Sequence, residues 1–193
     1  PRSTMNLRYQ PRDLVVAATR AKKIRVIEIV PDQIVTREFI TTPKIEDGEI
    51  VADTRRDILK LVVVERHRAT GNVGVGFVRG FKLQRGAIGS TVAHDAHNVV
   101  VAGTNDADIL RVIQELERLQ GGQVAVADGK VKAELGLPIA GLVSDRPLPE
   151  VIKRMDALNA AAHALGCDCD APFMTLSFLS LSRIRDHEVP ADP

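Results

Sequence analysis

The sequence is poor in aromatic residues and has almost no excess charge. Aromatic residues make up 3% of the 193 residues, with no Trp and one Tyr, and 26 Lys and Arg residues face 25 Asp and Glu residues. Proteins that bind single-stranded nucleic acid stack the bases on aromatic side chains. An acidic membrane or a nucleic-acid backbone attracts a positively charged surface. We therefore expect neither nucleic acid nor a membrane among the partners.

Cysteines and long apolar runs are scarce as well. Cys167 and Cys169 are separated by one residue, which is too close to join distant segments, and a lone C-x-C pair lacks the further ligands of a zinc site. No apolar run approaches the roughly 20 residues of a membrane-spanning helix. The N-terminus lacks the pattern of a secretory signal. These features predict a cytoplasmic protein in a reducing compartment.

The apolar patterning predicts several β-strands. Residues 24–30 and 34–40 form one pair of β-branched runs around a turn, and residues 58–65 and 73–78 form another. Asp128-Gly129 has the two-residue chemistry of a type I′ hairpin between residues 123–127 and 130–135. The run NVVVA at residues 98–102 is typical of a buried strand in the middle of a sheet.

Two apolar stripes at helical spacing predict two main helices. The first stripe ends before Gly121, and the second follows Pro147 and ends at Gly166, with Ser144 and Asp145 as candidate caps. Their members are Ile109, Val112, Ile113, Leu116 and Leu119, and then Val151, Met155, Leu158, Ala162 and Leu165. Because hairpins replace regular β-α-β alternation, we predict an α+β fold with a mixed or antiparallel sheet packed by two main helices.

A glycine-rich segment between residues 76 and 105 gathers the polar side chains best suited to chemistry. Immediately before the buried run, it brings together Ser90, Thr91, His94, Asp95, His97 and Asn98. Polar groups that enter a core need partners or a ligand. The two histidines could bind one metal only on a turn, because on a strand they would point to opposite faces. Alternatively, Asp95 and Asn98 cap a turn and the histidines bond to the backbone. Three further histidines, His67, His163 and His187, are isolated in sequence and could join only through the fold.

The order of these segments resembles one known family. GFVRGFKLQRGAIGSTVAHDAHN, followed by VVVAGTND, GGQVAVADGKV, LPIAGLVSD and APFMTLSFL, resembles the C-terminal domain of bacterial and archaeal adenine deaminases over about residues 24–181. These enzymes belong to the amidohydrolase superfamily and hydrolyse adenine to hypoxanthine and ammonia. The sequence departs from the family at Lys82, where glycine is common, at Ala96, where serine is usual, and in the tail after residue 181.

The resemblance implies a metal centre that this chain does not supply. In the family, manganese or iron is held by an N-terminal TIM-type barrel that carries a His-x-His motif. This sequence has no His-x-His, and its 193 residues fall short of the about 250 that such a barrel needs. We therefore expect residues 51–193 to form the C-terminal α+β domain, and residues 1–50 to form a small β segment or a linker from a preceding domain.

The resemblance also suggests roles for the polar segment beside the barrel. It implies that His94, Asp95 and His97 act in catalysis, that Ser90, Thr91 and Asn98 bind substrate, and that none of them binds metal. The expected partners are adenine, the barrel and further copies of the chain in a homo-oligomer. Two alternatives remain open: a non-catalytic binding or scaffold module derived from the enzyme, and a small metallohydrolase built on His94 and His97.

Overall fold

The computed structural model describes residues 4–18, 22–31 and 33–180, which build an eight-stranded sheet with helices on both faces. The strands are β1 (Ile24–Ile29), β2 (Thr36–Thr41), β3 (Lys44–Glu46), β4 (Glu49–Val51), β5 (Leu59–Val64), β6 (Val73–Arg79), β7 (Ala87–Ser90), β8 (Val99–Gly103), β9 (Gly122–Ala127) and β10 (Lys130–Gly136). The helices are α1 (Asp106–Arg118), α2 (Leu148–Ala164) and α3 (Pro172–Phe178). Short 3₁₀ turns span Pro11–Leu14 and Thr54–Arg56.

The main sheet has the order β10-β9-β7-β8-β5-β6-β1-β2, while β3 and β4 pair separately. All its neighbouring strands are antiparallel except β1 and β6, which are parallel. The sheet is therefore mixed and mostly antiparallel, which confirms the predicted α+β class. It is an open sheet, and the described residues contain no closed barrel.

The predicted hairpins are present. β1 pairs with β2, β5 with β6, and β9 with β10, each in antiparallel register. Asp128 and Gly129 join the last pair with φ values of 55° and 70°, and these positive angles are what a type I′ turn requires. Asp32, which belongs to the turn predicted between these two strands, lies outside the described residues.

β8 lies between β7 and β5, and all five of its residues are buried, as the apolar run predicts. Because side chains alternate along a strand, Val99 and Val101 pack in the core beneath α1, and Val100 and Ala102 pack in the core beneath α2 and α3. The sheet is thus covered on both faces, and its central strand contributes to both cores.

The two predicted helices form on opposite faces of the sheet. At the start of α1, the Asn105 side chain accepts a hydrogen bond of 2.8 Å from the Asp108 backbone N–H, an N-cap that satisfies one donor of the first turn. α2 begins after Pro147, which is its N-cap residue and makes no side-chain cap hydrogen bond, so neither Ser144 nor Asp145 stands at the N-cap position. The Ser144 hydroxyl instead accepts from the Arg146 N–H at 3.2 Å, a local turn that competes with capping.

The N-terminal strands extend the main sheet. β1 pairs with β6 on one side and with β2 on the other, so the sheet runs across residue 50. The boundary between residues 1–50 and 51–193 stays a prediction about domain origin. Part of the second range, including His187 and the tail after residue 181, lies outside the described residues. Within the described part of the chain, no helix is long and apolar enough to cross a membrane.

Candidate functional site

The polar segment forms a loop, residues 91–98, between β7 and β8. It leaves the sheet where Ser90 pairs with Val100 of β8 and with Gln123 of β9, so the loop rises from the interior of the sheet. α3 packs against β7 and β8, and the His94 N–H donates to the Ser177 carbonyl at 2.9 Å. The loop is therefore held between the sheet and α3.

The first two polar residues of the segment are fully buried. The Thr91 hydroxyl donates to the Gly141 carbonyl at 2.6 Å and accepts from the Gly122 N–H at 2.8 Å. The Ser90 hydroxyl accepts from the Val92 N–H at 2.9 Å. Both hydroxyls are thus engaged with backbone, an arrangement that fixes the base of the loop. Direct substrate contact by Ser90 and Thr91 stays a prediction.

A turn brings the two histidines of the loop together. The His97 N–H donates to the Ala93 carbonyl at 2.6 Å, which closes one helical turn, and the His94 and His97 ring centroids are 5.9 Å apart. His94 also contacts the Phe178 ring at 5.0 Å. Both histidines are half-buried, whereas Asp95 at the tip is exposed. The loop therefore shows two imidazoles and a carboxylate to its surroundings.

The environment of His97 favours its neutral form. Burial lowers the pKa of His97, and the nearby His94, Arg66 and His67 lower it further, while Asp95 acts in the opposite direction. Its Nδ1 lies 3.3 Å from the Ala93 N–H and accepts from it, so the neutral ring carries its proton on Nε2. In this tautomer the neutral imidazole offers Nε2–H as a hydrogen-bond donor, while its acceptor nitrogen Nδ1 is already occupied by the Ala93 N–H.

Asn98 differs from its neighbours because its side-chain oxygen is buried without a hydrogen-bond partner among the described residues. A buried acceptor that lacks a donor is costly, so it is satisfied when a donor from a ligand or from another chain segment approaches. This observation supports the prediction that Asn98 binds substrate, and that role stays a prediction.

The fold adds residues that sequence spacing alone did not assign to the site. His67 Nε2 lies 2.8 Å from the Ala96 carbonyl, and the Ser180 hydroxyl donates to the His94 carbonyl at 2.6 Å. The Arg66 Nε donates to the His97 carbonyl at 2.5 Å. Arg66 and His67 lie two and three residues after the end of β5, which pairs with β8, so the register of these two strands is the signal that would have placed them here.

Glu65 orders the turn that presents Arg66 and His67. Its carboxylate accepts backbone N–H bonds from His67 at 2.5 Å, Arg68 at 2.8 Å and Thr70 at 3.0 Å. Partial desolvation acts to raise the pKa of Glu65, but these bonds outweigh it and lower the pKa to about 2. The carboxylate is therefore ionised throughout the neutral range and holds the turn in place.

Comparison with known proteins decides the family. A family model described as the adenine deaminase C-terminal domain matches residues 33–189. The chain belongs to this family. It is 50% identical over 173 residues to an adenine deaminase of Dehalococcoides mccartyi, covering 90% of the chain and 30% of that relative. It is 46% identical over 180 residues to an adenine deaminase of Methanothrix thermoacetophila, covering 93% of the chain and 32% of the relative.

The chain thus spans about a third of the length of the curated adenine deaminases that it matches. The adenine deaminase family implies a divalent metal. Among residues 4–18, 22–31 and 33–180, no group of three or more His, Cys, Asp or Glu side chains is arranged to hold a metal ion. The residues present therefore do not fit a catalytic metal centre, and no step of a reaction is assigned to a metal on this chain.

Proposed function

We propose that this chain is the C-terminal domain of an adenine deaminase, the enzyme that hydrolyses adenine to hypoxanthine and ammonia in purine salvage. The observation that carries the proposal is family membership over residues 33–189, combined with relatives named adenine deaminase of which the match covers only about a third. In this proposal the chain supports an active site and is not catalytic alone. The alternative is a non-catalytic binding or scaffold module derived from that enzyme.

The proposed partners are adenine and an N-terminal barrel domain. The barrel would hold the manganese or iron that the family resemblance implies, since the described residues of this chain do not form such a site. We expect the complete assembly to be a cytoplasmic homo-oligomer. The role of this chain is then to complete the surroundings of the substrate.

The loop at residues 91–98 is the proposed contribution to that active site. Hydrolytic deamination adds water to the carbon that bears the amino group and releases ammonia, so protons must be moved during the reaction. The half-buried His94 and His97 rings, 5.9 Å apart, and the exposed Asp95 support a role in moving or orienting such protons. Asn98 offers an unpartnered acceptor for an amino group. The buried hydroxyls of Ser90 and Thr91 support a positioning role for these two residues.

A chimeric enzyme tests the proposal. The chain replaces the matching C-terminal third of the Dehalococcoides mccartyi relative, to which it is 50% identical over 173 residues. We expect the chimera to release ammonia from adenine. His94→Ala or His97→Ala should lower its turnover by about 10²-fold or more, the usual scale for loss of a positioned proton-transfer group.

His163→Ala provides the matched control, because His163 lies on α2 and bonds to the Cys169 carbonyl at 2.9 Å, away from the loop. Its turnover should stay normal. If His94→Ala and His97→Ala lower thermal stability but leave the turnover per folded molecule unchanged, the histidines are structural and the scaffold alternative is favoured.

An activity assay of the isolated chain tests the remaining alternative, a small metallohydrolase. The isolated chain should release no ammonia from adenine even with added manganese or iron, because the described residues lack a metal-binding group. Release above background that a chelator abolishes would contradict this proposal, and would favour a small metallohydrolase built on His94 and His97.

A further inference from the structure

Arg66 is a buried cation beside the candidate site. It lies two residues after the end of β5, and among the described residues its side chain is the largest of the fully buried ones, with 1% of the residue exposed. Arginine is almost never fully buried unless its donors are paired, because the guanidinium loses its hydration. The acceptors that replace this hydration therefore indicate what the side chain does.

Those acceptors are uncharged oxygens from three segments that are distant in sequence. Nε donates to the His97 carbonyl at 2.5 Å, and Nη2 donates to the Ala140 carbonyl at 3.0 Å. Nη1 donates to both oxygens of Thr4, the carbonyl at 3.0 Å and the hydroxyl at 2.9 Å. One planar guanidinium thus ties the N-terminal segment, the loop and the turn around residue 140 together.

The surroundings leave the guanidinium little freedom to move. A Cβ at Gly141 would lie 2.8 Å from Nη1 and 2.9 Å from Cζ, so the glycine packs directly on the guanidinium. The Gly141 carbonyl in turn accepts from the Thr91 hydroxyl at 2.6 Å. Arg66 and Thr91 therefore approach the same stretch of backbone. Arg66 also contacts the loop that carries the histidines, and Thr91 is the first residue of that loop.

His97 adopts the conformation that this contact supports. Its φ is 49°, in the left-handed region that residues other than glycine rarely occupy. In this conformation its carbonyl reaches Arg66, while its ring turns back so that Nδ1 accepts from the Ala93 N–H. The orientation of the imidazole thus depends on where the carbonyl of the same residue is held.

We propose that Arg66 is a positioning residue for His97, which by binding the His97 carbonyl fixes the left-handed turn and the ring orientation of the imidazole. This inference rests on the proposed function for its catalytic meaning, but the link between the two residues can be tested without any activity. The charged and titratable groups that face His97 are Arg66, His94, His67 and Asp95.

The test is an NMR titration of the histidine ring protons in the whole chain and in two variants. Arg66→Lys keeps a charge, but its single ammonium cannot reach three segments in the geometry of the fork. Arg66→Met removes the charge. We expect the His97 ring signals to shift in both variants. In Arg66→Met the pKa of His97 should also rise toward its ordinary value, because a nearby positive charge is lost.

Arg56→Met is the matched control. The Arg56 guanidinium also bridges segments, since Nη1 donates to the Thr42 carbonyl at 2.9 Å and Nε pairs with Asp53 at 2.6 Å, but it lies away from the loop. The His97 signals and titration should not change in this variant. Thr4→Val should also leave them unchanged, because it removes only the hydroxyl acceptor of Nη1.

A His97 titration that is the same in Arg66→Lys, Arg66→Met and Arg56→Met overturns the inference. If Arg66→Met does not fold, Arg66→Lys alone decides the question. In the chimeric enzyme, Arg66→Lys should lower turnover while Arg56→Lys should not. An inactive chimera would overturn the proposed function alone, since the titration measures the link between Arg66 and His97 independently.

Discussion

Replacement of Thr91 by valine tests whether the base of the loop is built for structure. Valine has nearly the shape of threonine, so the substitution removes the hydroxyl and leaves the packing in place. It leaves the Gly141 carbonyl without its donor at 2.6 Å and the Gly122 N–H without its acceptor at 2.8 Å. A buried polar group left unsatisfied costs about 1–3 kcal/mol.

The two unsatisfied groups, the Gly141 carbonyl and the Gly122 N–H, therefore predict a loss of about 2 kcal/mol or more in the free energy of unfolding. For a chain of this size, about 1 kcal/mol corresponds to a change of about 2–4 °C in Tm, so we expect Tm to fall by about 4 °C or more. Denaturant unfolding followed by circular dichroism, combined with a thermal scan, measures both quantities.

Thr70→Val is the matched control. The Thr70 hydroxyl also makes two hydrogen bonds, donating to Glu65 Oε2 at 3.0 Å and accepting from the Asn72 N–H at 3.2 Å, but Thr70 and Asn72 are exposed and Glu65 is partly exposed. Water can replace both bonds, so the free energy of unfolding should change by no more than about 0.5 kcal/mol. Equal effects of the two substitutions would refute the argument that burial sets the cost.

Three further predictions test the core and the loop. Val100→Asp should lower the free energy of unfolding by about 4 kcal/mol or more, because it places an unpaired charge in a fully buried central strand, and an unchanged Tm would contradict the topology. Gly89→Ala should lower the free energy of unfolding by about 1–3 kcal/mol, since the new Cβ would lie 2.4 Å from Val112 Cγ1. Gly76→Ala is the control and should not destabilise the fold, because nothing lies within 4 Å of a Cβ at that position. Denaturant unfolding compares the two variants. Because the pKa of His97 is lowered, its neutral form stabilises the fold above about pH 6.5, and this contribution should be lost as pH falls through the lower pKa of the folded state. His97→Gln should therefore weaken the pH dependence of Tm between about pH 7 and 5, and an unaltered dependence would show that this residue does not titrate differently on folding.

Strands, helices and hairpins that depend on residues close together in the sequence can be predicted from it. The β9–β10 hairpin follows from Asp128-Gly129, whose residues both accept positive φ, and β8 follows from its continuous apolar run. The apolar stripe of α1 is buried as its spacing predicts. In each case the pattern and the structure involve the same few residues, so no knowledge of distant contacts is needed.

Contacts between distant segments are not encoded in any local pattern. Arg66 meets residue 97 and His67 meets residue 96 because β5 and β8 are neighbours in the sheet. Arg66 also meets residues 4 and 140, which lie on further segments distant in sequence. The start of α2 is a case in which a local sequence pattern is present but does not decide where the helix begins. Ser144 and Asp145 have the chemistry of caps, but the helix begins three residues later, after Pro147. Propensity alone cannot decide between a cap and a local turn.

The resemblance adds information that propensity lacks. The resemblance implies that glycine is common at the position of Lys82, and Lys82 adopts a φ of 61°. Glycine occupies this left-handed region without strain, which explains its use at this position. In this chain the backbone N–H of Lys82 donates to Asp57 Oδ1 at 2.7 Å, and its ammonium pairs with Asp168 at 2.5 Å. The charge-assisted hydrogen bond from the Lys82 backbone to the Asp57 carboxylate, rather than the exposed ion pair between side chains, is the interaction able to hold the strained residue.

The division of the loop into a buried base and an accessible tip has a chemical consequence. Thr91 binds the backbone of two other segments, and Arg66 binds the carbonyl of His97, so the path of the loop is set before any partner arrives. Ordering a side chain at the moment of binding costs conformational entropy, and a preformed loop has already met that cost during folding. In the proposed function, the imidazole of His97 is therefore presented to the active site in one orientation and in its neutral form. A flexible loop with the same residues would present a mixture of orientations, which is why the supporting residues belong in any test of the site.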